Sequence, residues 1–173
     1  MFRLREICKD DMTEINKWRN SPELINYLGA PFRYINEQVD LNWFDDYMKQ
    51  RNNSVRCAII SESNEIIGLV SLTEINYINR SAVFQIMIGE SKNRGNGAGN
   101  FATKTILNHA FNNLNLNRVE LTVLENNIRA INFYESNGFI CEGRKRQSNY
   151  KNGKYFDMLM YSILKDEFND IGV

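Results

Sequence analysis

A glycine-rich stretch follows a short apolar run and is the first place where the chain could do chemistry. Residues 92–105 read KNRGNGAGNFATKT, shortly after the apolar residues 84–88. Glycine permits positive φ and the close approach of other groups, at a cost of roughly 0.5 to 1 kcal/mol relative to alanine inside a regular element. Backbone N–H groups at the start of a helix bind anions. The stretch therefore suggests a ligand-binding loop.

Three phosphate-binding patterns compete for this loop, and their spacing separates them. A GxxxxGK[ST] loop is absent, and a GxGxxG dinucleotide fingerprint requires an acidic residue at the end of the next strand. Here the glycines read GxGxG and Glu120 falls inside the next strand. The pattern [QR]xxGx[GA], in which backbone N–H groups wrap a pyrophosphate, is met by Arg94, Gly97 and Gly99. The alternative interpretation is a plain glycine-rich turn that binds no ligand.

A second segment lies about 30 residues further along and reads ENNIRAINFYESNGF, residues 125–139. Ala130 and Tyr134 share one face of a predicted helix that begins near Asn127 and ends at Gly138. Taken alone, the segment is a capped helix with an aromatic core residue.

Together, the two segments resemble the GNAT superfamily of acetyl-coenzyme A dependent N-acetyltransferases. RGNGAG is similar to the pyrophosphate loop of that family. NxxAxxxYxxxGF is similar to the family's helix that carries a functional Asn and Tyr. The tail EGRKRQSNYKNGKYFDMLMYSIL and the segment WRNSPEL resemble the branch that contains ribosomal-protein N-terminal, spermidine and aminosugar acetyltransferases. The resemblance covers nearly the whole chain.

The resemblance implies a mixed α/β (α+β) fold. We expect one acetyltransferase domain over residues 1–173, with a central, mostly antiparallel twisted sheet, a splayed strand pair and flanking helices. Acetyl transfer from a thioester to an amine passes through a tetrahedral intermediate, so the site needs a free amine, an oxyanion donor and a proton for the thiolate. The implied activity is direct transfer from acetyl-CoA, without a metal, to a small-molecule primary amine.

The resemblance also assigns residues to the cofactor and to the leaving thiolate. Asn127 would hydrogen-bond the pantetheine arm, and Tyr134 would be the general acid, with a reference pKa near 10 that exceeds that of a typical thiol. The backbone of the strand before the loop would hold the arm and the thioester carbonyl, and the loop would hold the pyrophosphate; these residues are Met87, Ile88, Gly89, Arg94, Gly95, Asn96, Gly97, Ala98, Gly99 and Asn100.

The general base is the least defined part of the predicted site. Many relatives carry a glutamate where this chain has Val83 or Thr122. Glu120 lies two residues before Thr122, and hence on the same face of the strand, so we place it in the catalytic set. A solvated or paired carboxylate is the alternative for Glu120. A water chain can serve as the base, and the other candidate side chains are Glu74, Tyr155 and Asp157.

The acceptor amine is left open between three classes. Trp18, Arg19 and Asn20 resemble the WRN segment of aminosugar-nucleotide acetyltransferases, whereas residues 69–88 are similar to spermidine acetyltransferases. A sugar nucleotide would meet Arg19, Trp43 and Tyr155, and a polyamine would need carboxylates such as Glu23, Glu37, Asp40, Asp45 and Asp46. We take Trp18, Arg19, Asn20 and Tyr155 as substrate-binding candidates. Acetylation of a protein N-terminus and a coenzyme A sensor without turnover are the alternatives.

Composition excludes several other classes. Lys plus Arg and Asp plus Glu number 21 each, which argues against a nucleic-acid binder. Cys8, Cys57 and Cys141 lack the spacing of a metal site and are expected to be reduced thiols. No run of 18 apolar residues occurs, so we expect no membrane span and a cytoplasmic protein. A homodimer is an expectation from the family alone.

The order of predicted elements completes the framework that must position these residues. Strand patterns cover residues 1–8, 54–60, 65–75, 81–88, 118–124, 139–143 and 155–164, with a turn at Asn152 and Gly153 between the last two. Helical patterns begin near Met12 and at Ser21-Pro22-Glu23, and cover residues 36–51, 101–114 and 128–137.

Overall fold

The computed structural model describes residues 1–168 of the 173-residue chain. Within these residues seven strands form one sheet: β1 (Arg3–Glu6), β2 (Val55–Ile60), β3 (Ile66–Asn76), β4 (Ser81–Ile88), β5 (Arg118–Leu124), β6 (Ile140–Lys151) and β7 (Lys154–Leu164). Their order across the sheet is β1-β2-β3-β4-β5-β7-β6. The helices are α1 (Met12–Arg19), α2 (Pro22–Ile25), α3 (Glu37–Lys49), α4 (Ala98–Asn108) and α5 (Ile128–Ser136). The predicted mixed α/β fold is confirmed; residues 169–173 of the predicted single domain lie outside the described part.

The sheet is antiparallel except at its centre, where β4 and β5 run parallel. This pair is short: only residues 81–83 of β4 lie opposite residues 118–120 of β5. Beyond that point β4 continues beside β3 as far as Ile88, and β5 continues beside β7 as far as Leu124. The two strands therefore separate towards their carboxyl ends, which confirms the predicted splayed pair.

Helices cover both faces of the sheet because successive strand residues point to opposite sides. In β2, Ile59 joins the core under α4 and α5, whereas Ala58 and Ile60 join the core under α1 to α3. Ile106 and Phe111 fill the first core, and Trp18, Ile15 and Tyr47 fill the second. The sheet is consequently the middle layer of three.

Side-chain caps define several helix starts. Asn36 accepts a hydrogen bond from the Val39 amide at 3.1 Å, and Ser21 accepts one from the Leu24 amide at 3.3 Å. α4 begins three residues earlier than predicted, directly after Gly97, whose φ of 92° suits glycine. Residues 109–113 extend it as a π-helical turn. None of the helices within residues 1–168 has the length and apolar character that crossing a bilayer requires.

The last hairpin is longer than its sequence pattern indicated. β6 was expected over residues 139–143 but continues to Lys151, with register shifts against β7 after Cys141 and after Lys145. β6 is an exposed edge strand, so most of its residues are polar and give no alternating apolar pattern. The predicted turn is confirmed, with φ of 50° at Asn152 and 80° at Gly153.

Candidate active site

The gap between β4 and β5 opens into a cavity of about 620 Å³. Four parts of the chain line it: the ends of both strands, the glycine loop, one face of α5, and the segment that begins in α2. The glycines Gly29, Gly95, Gly97 and Gly99 line it. Its other lining residues include Glu23, Tyr27, Leu28, Ile86, Met87, Ile88, Arg94, Asn100, Thr122, Asn127, Arg129, Phe133 and Tyr134. The fold thus brings the two predicted motifs to one cavity.

The backbone of β4 presents only alternate residues to the gap. The Gly89 amide donates to the Ile67 carbonyl at 2.9 Å, so this residue is already paired with β3. In an antiparallel ladder the polar groups of successive residues point to opposite sides. The N–H and C=O groups of Ile88 and Ile86 therefore face the gap, while those of Met87 face β3. Of the three predicted strand residues, Ile88 has its backbone available to a ligand.

The glycine loop presents bare backbone at the N-terminus of α4. Gly95 and Gly97 have φ of 82° and 92°, and a Cβ placed on either would meet nothing within 4 Å. The first-turn amides of Gly99 and Asn100 have no acceptor four residues earlier in the helix. Such amides, together with the positive end of the helix dipole, form an anion site.

Two predicted loop residues lie outside the cavity lining, and their assignment to the cofactor stays a prediction. The Asn96 side chain accepts a hydrogen bond from the Ala98 amide at 3.1 Å, and Ala98 is buried in the core. Neither residue lines the cavity. The remaining loop residues of the prediction do line it, including Arg94, whose Nη2 donates to the Gly89 carbonyl at 3.0 Å.

Tyr134 lies on the cavity side of α5 within a group of aromatic rings. Its ring meets the edges of Phe84, Phe133 and Phe139 at centroid distances of 6.3, 5.5 and 5.9 Å. Burial raises the pKa of Tyr134 to about 12. Among residues 1–168 we find no hydrogen-bond partner for its hydroxyl, which stays protonated at neutral pH.

Asn127 has two protein partners in the structure. Its Oδ1 accepts a hydrogen bond from the Ala130 amide at 3.2 Å and so caps α5. Its Nδ2 donates to the Tyr27 carbonyl at 2.8 Å. Asn127 therefore joins α5 to the segment after α2, and its predicted contact with the pantetheine arm stays a prediction.

The predicted WRN cluster lies behind the cavity and not in its wall. Trp18 is buried in the second core against Gly89, where a Cβ would overlap the indole ring. Arg19 pairs with the fully buried Asp40, and Asn20 donates to the Ile35 carbonyl at 2.7 Å. These residues join α1 to α3 and support the end of β4 from behind.

Two further predicted residues also lie outside the cavity lining. Glu120 accepts a hydrogen bond from Arg118 Nε at 2.9 Å, beside the point where β4 and β5 separate. Tyr155 is exposed and packs against Tyr150, with the ring centroids 5.0 Å apart and the planes tilted by 60°. The structure does not bring either residue to Tyr134, so their assignments stay predictions.

Several lining residues lie outside the predicted site. Glu23 was considered only as one of five surface acids, and Arg129 and Phe133 were not considered at all. Arg129 and Phe133 are four residues apart and therefore share one side of α5, next to the side that carries Ala130 and Tyr134. Tyr27, Leu28 and Gly29 follow a four-residue helix and carry no periodic signal. Among residues 1–168, no cluster of His, Cys, Asp and Glu side chains suits a metal ion.

Comparisons with known proteins agree with this geometry. A family model described as an acetyltransferase (GNAT) domain matches residues 2–140. A spermidine N(1)-acetyltransferase of Vibrio cholerae is 32% identical over 168 residues, which cover 95% of this chain and 94% of that relative. A putative ribosomal N-acetyltransferase of Bacillus subtilis is 29% identical over 170 residues, which cover 96% of this chain and 86% of that relative.

Solved structures extend the likeness to the fold. The crystal structure of spermidine N-acetyltransferase from Vibrio cholerae in complex with CoA and spermine superposes with a TM-score of 0.87, at 30% identity and with 96% of each chain covered. The chain therefore belongs to the GNAT family of acetyltransferases. It is an acetyl-CoA-dependent N-acetyltransferase of the branch that includes the spermidine and ribosomal enzymes.

The open backbone at Gly97 gives a test of the cofactor loop. We expect Gly97→Val to remove measurable acetyl-CoA binding, because a branched side chain at this position enters the space that a pyrophosphate needs. Gly153→Val is the matched control, since Gly153 has φ of 80° and equally open surroundings but lies in the last hairpin turn. Both variants carry a similar backbone strain of about 1 to 2 kcal/mol.

Isothermal titration calorimetry with acetyl-CoA, together with thermal unfolding, separates the two effects. The assignment is supported if both variants lose the same amount of melting temperature but only Gly97→Val loses affinity for acetyl-CoA. Full affinity in Gly97→Val would show that the cofactor loop lies elsewhere.

Proposed function

We propose that this enzyme transfers the acetyl group of acetyl-CoA to a primary amine of a polyamine such as spermidine. The observation that carries the proposal is the cavity between β4 and β5, whose lining combines the Glu23 carboxylate with the glycine loop and Tyr134. The likeness to a spermidine acetyltransferase over 95% of the chain supports the same acceptor class.

In this proposal acetyl-CoA lies along the gap. The pyrophosphate meets the amides of Gly97, Gly99 and Asn100, with Arg94 and Arg129 as the nearby cations. The pantetheine arm meets the backbone of Ile86 and Ile88, whose polar groups face away from β3. An amide on either residue can also donate to the thioester carbonyl oxygen as it becomes an oxyanion.

Tyr134 supplies the proton in the proposed reaction. The neutral amine nitrogen attacks the thioester carbonyl carbon, and collapse of the tetrahedral intermediate breaks the C–S bond. The thiolate takes the hydroxyl proton of Tyr134, and the amine nitrogen releases its own proton to water. The tyrosinate then regains a proton from water, which restores the enzyme. The raised pKa keeps the phenol protonated until the thiolate forms, but it also makes the phenol a weaker acid than a thiol and so lowers the driving force for the proton transfer.

Glu23 is proposed to attract the acceptor. It is the one carboxylate among the cavity-lining residues of the described chain, and its side chain is exposed at the mouth. Three of the other four acids considered for a polyamine have partners elsewhere: Asp40 is fully buried against Arg19, Glu37 accepts from Thr13, and Asp46 pairs with Lys49. The fourth, Asp45, does not line the cavity. A polyamine keeps a second ammonium that Glu23 can meet while the first amine reacts.

The acceptor is tested by free-thiol release from acetyl-CoA with spermidine, spermine, an amino-sugar nucleotide and a peptide with Ser or Ala at its N-terminus. We expect turnover of spermidine or spermine at least tenfold above the other amines. Glu23→Gln should raise the KM for the polyamine about three- to tenfold, because one charge at an exposed site contributes about 1 kcal/mol. Glu37→Gln, outside the cavity, is the control. Turnover of the sugar or the peptide alone would replace the polyamine assignment.

The role of Tyr134 is tested by Tyr134→Phe. The substitution keeps the aromatic packing and removes only the hydroxyl, so we expect kcat to fall about 100-fold or more. The dissociation constant for acetyl-CoA should change less than about twofold, because the hydroxyl acts only as the thiolate leaves. Stopped-flow thiol detection and calorimetry provide the two values. Turnover at the wild-type rate would remove Tyr134 from the proton-transfer step.

A further inference from the structure

Lys151, the last residue of β6, is buried. Its side chain is only 6% exposed, and its ammonium donates to the Ile25 carbonyl at 2.6 Å and to the Leu28 carbonyl. The lysine ion pairs found among residues 1–168 are Lys17–Glu14, Lys49–Asp46 and Lys92–Glu90, all at the surface. Lys151 is thus held by neutral carbonyl groups of a distant segment.

Such an arrangement is unfavourable for stability alone. An ammonium removed from water loses hydration that two carbonyl groups only partly replace. Desolvation accordingly lowers the pKa of Lys151. An apolar side chain of similar size would fill the same space without this penalty. Compared with such an apolar side chain, a lysine adds only the two hydrogen bonds to the Ile25 and Leu28 carbonyls.

Those hydrogen bonds fix one wall of the cavity. Residues 27–29 line the cavity, and side chains from two other elements hold the same segment. Asn149 Nδ2 donates to the Gly29 carbonyl at 2.6 Å, and Asn127 Nδ2 donates to the Tyr27 carbonyl at 2.8 Å. Within the segment, the Leu28 amide donates to the Ile25 carbonyl at 3.0 Å. The chain here follows a four-residue helix and depends on these external donors for its shape.

We propose that Lys151 is a positioning residue for the acceptor amine, which holds residues 25–29 so that the acceptor wall of the cavity is formed before the amine enters. The strands, the glycine loop and α5 provide the surfaces assigned above to acetyl-CoA, and the wall from residues 23–29 is left for the acceptor. The inference rests on that proposed division of the cavity. Preformed binding walls favour affinity, because the acceptor does not have to order them.

Lys151→Met tests the inference, since it keeps a long unbranched side chain and removes all donors. We expect the KM for the acceptor to rise about tenfold, because the wall is no longer held in its binding shape. The KM for acetyl-CoA should stay within about twofold and kcat within about threefold. Lys154→Met is the matched control: Lys154 lies opposite Lys151 in the hairpin, is exposed, and should change none of the three values.

The split between the two KM values separates positioning from a purely structural role. If Lys151 only stabilised the fold, the variant would contain less active enzyme, so apparent kcat would fall while both KM values stayed constant. That result, or an equal rise in both KM values, would overturn the inference. Should Lys151→Met yield too little folded protein, Lys151→Gln, which keeps an amide donor, should raise the acceptor KM about threefold. An unchanged KM there also counts against the inference.

The acceptor is first identified with the wild-type enzyme, so the test of Lys151 does not depend on the proposed acceptor class. If it acetylates an amine other than a polyamine, the proposed acceptor class fails, and the same KM values are measured with that amine. If no tested amine reacts, amide hydrogen exchange decides. Lys151→Met should speed exchange in residues 26–29 about tenfold relative to Lys154→Met. Equal exchange in the two variants would overturn the inference.

Discussion

The early separation of β4 and β5 is the constraint on which the rest of the structure depends. Only residues 81–83 and 118–120 pair, so the backbone groups of Ile86 and Ile88 face an open gap in the middle of a sheet. Buried backbone groups require hydrogen-bond partners. In our proposal the amide groups of the pantetheine arm are those partners, and the cofactor completes the sheet at the point where the strands separate.

The parts around the gap either keep it open or complete its walls. Trp18 packs against Gly89 and supports the end of β4 from the side of α1. On the other side, α4 starts directly after Gly97 and directs its free amides to the mouth of the gap. Lys151 brings the last hairpin to the remaining wall. Elements distant in sequence thus fix one cavity.

The sequence was most informative where local chemistry determines local structure. Glycines with positive φ, the Asn127 cap and alternating apolar residues predicted the loop, the start of α5 and the central strands correctly. The WRN segment was assigned to the substrate because it resembles a segment of aminosugar-nucleotide acetyltransferases, yet Arg19 and Trp18 are used in packing α1. The wall at residues 27–29 is defined by donors more than 90 residues away, which no local pattern can reveal.

The central claim, that acetyl-CoA binds in the gap of the sheet, is tested most directly by amide hydrogen exchange at single-residue resolution with and without saturating acetyl-CoA. The account predicts that Ile86, Ile88, Gly99 and Asn100 exchange at least tenfold more slowly in the complex. The Gly89 amide, already bonded to Ile67, should change little. Unchanged exchange at Ile86 and Ile88, with protection confined to another part of the chain, would contradict it.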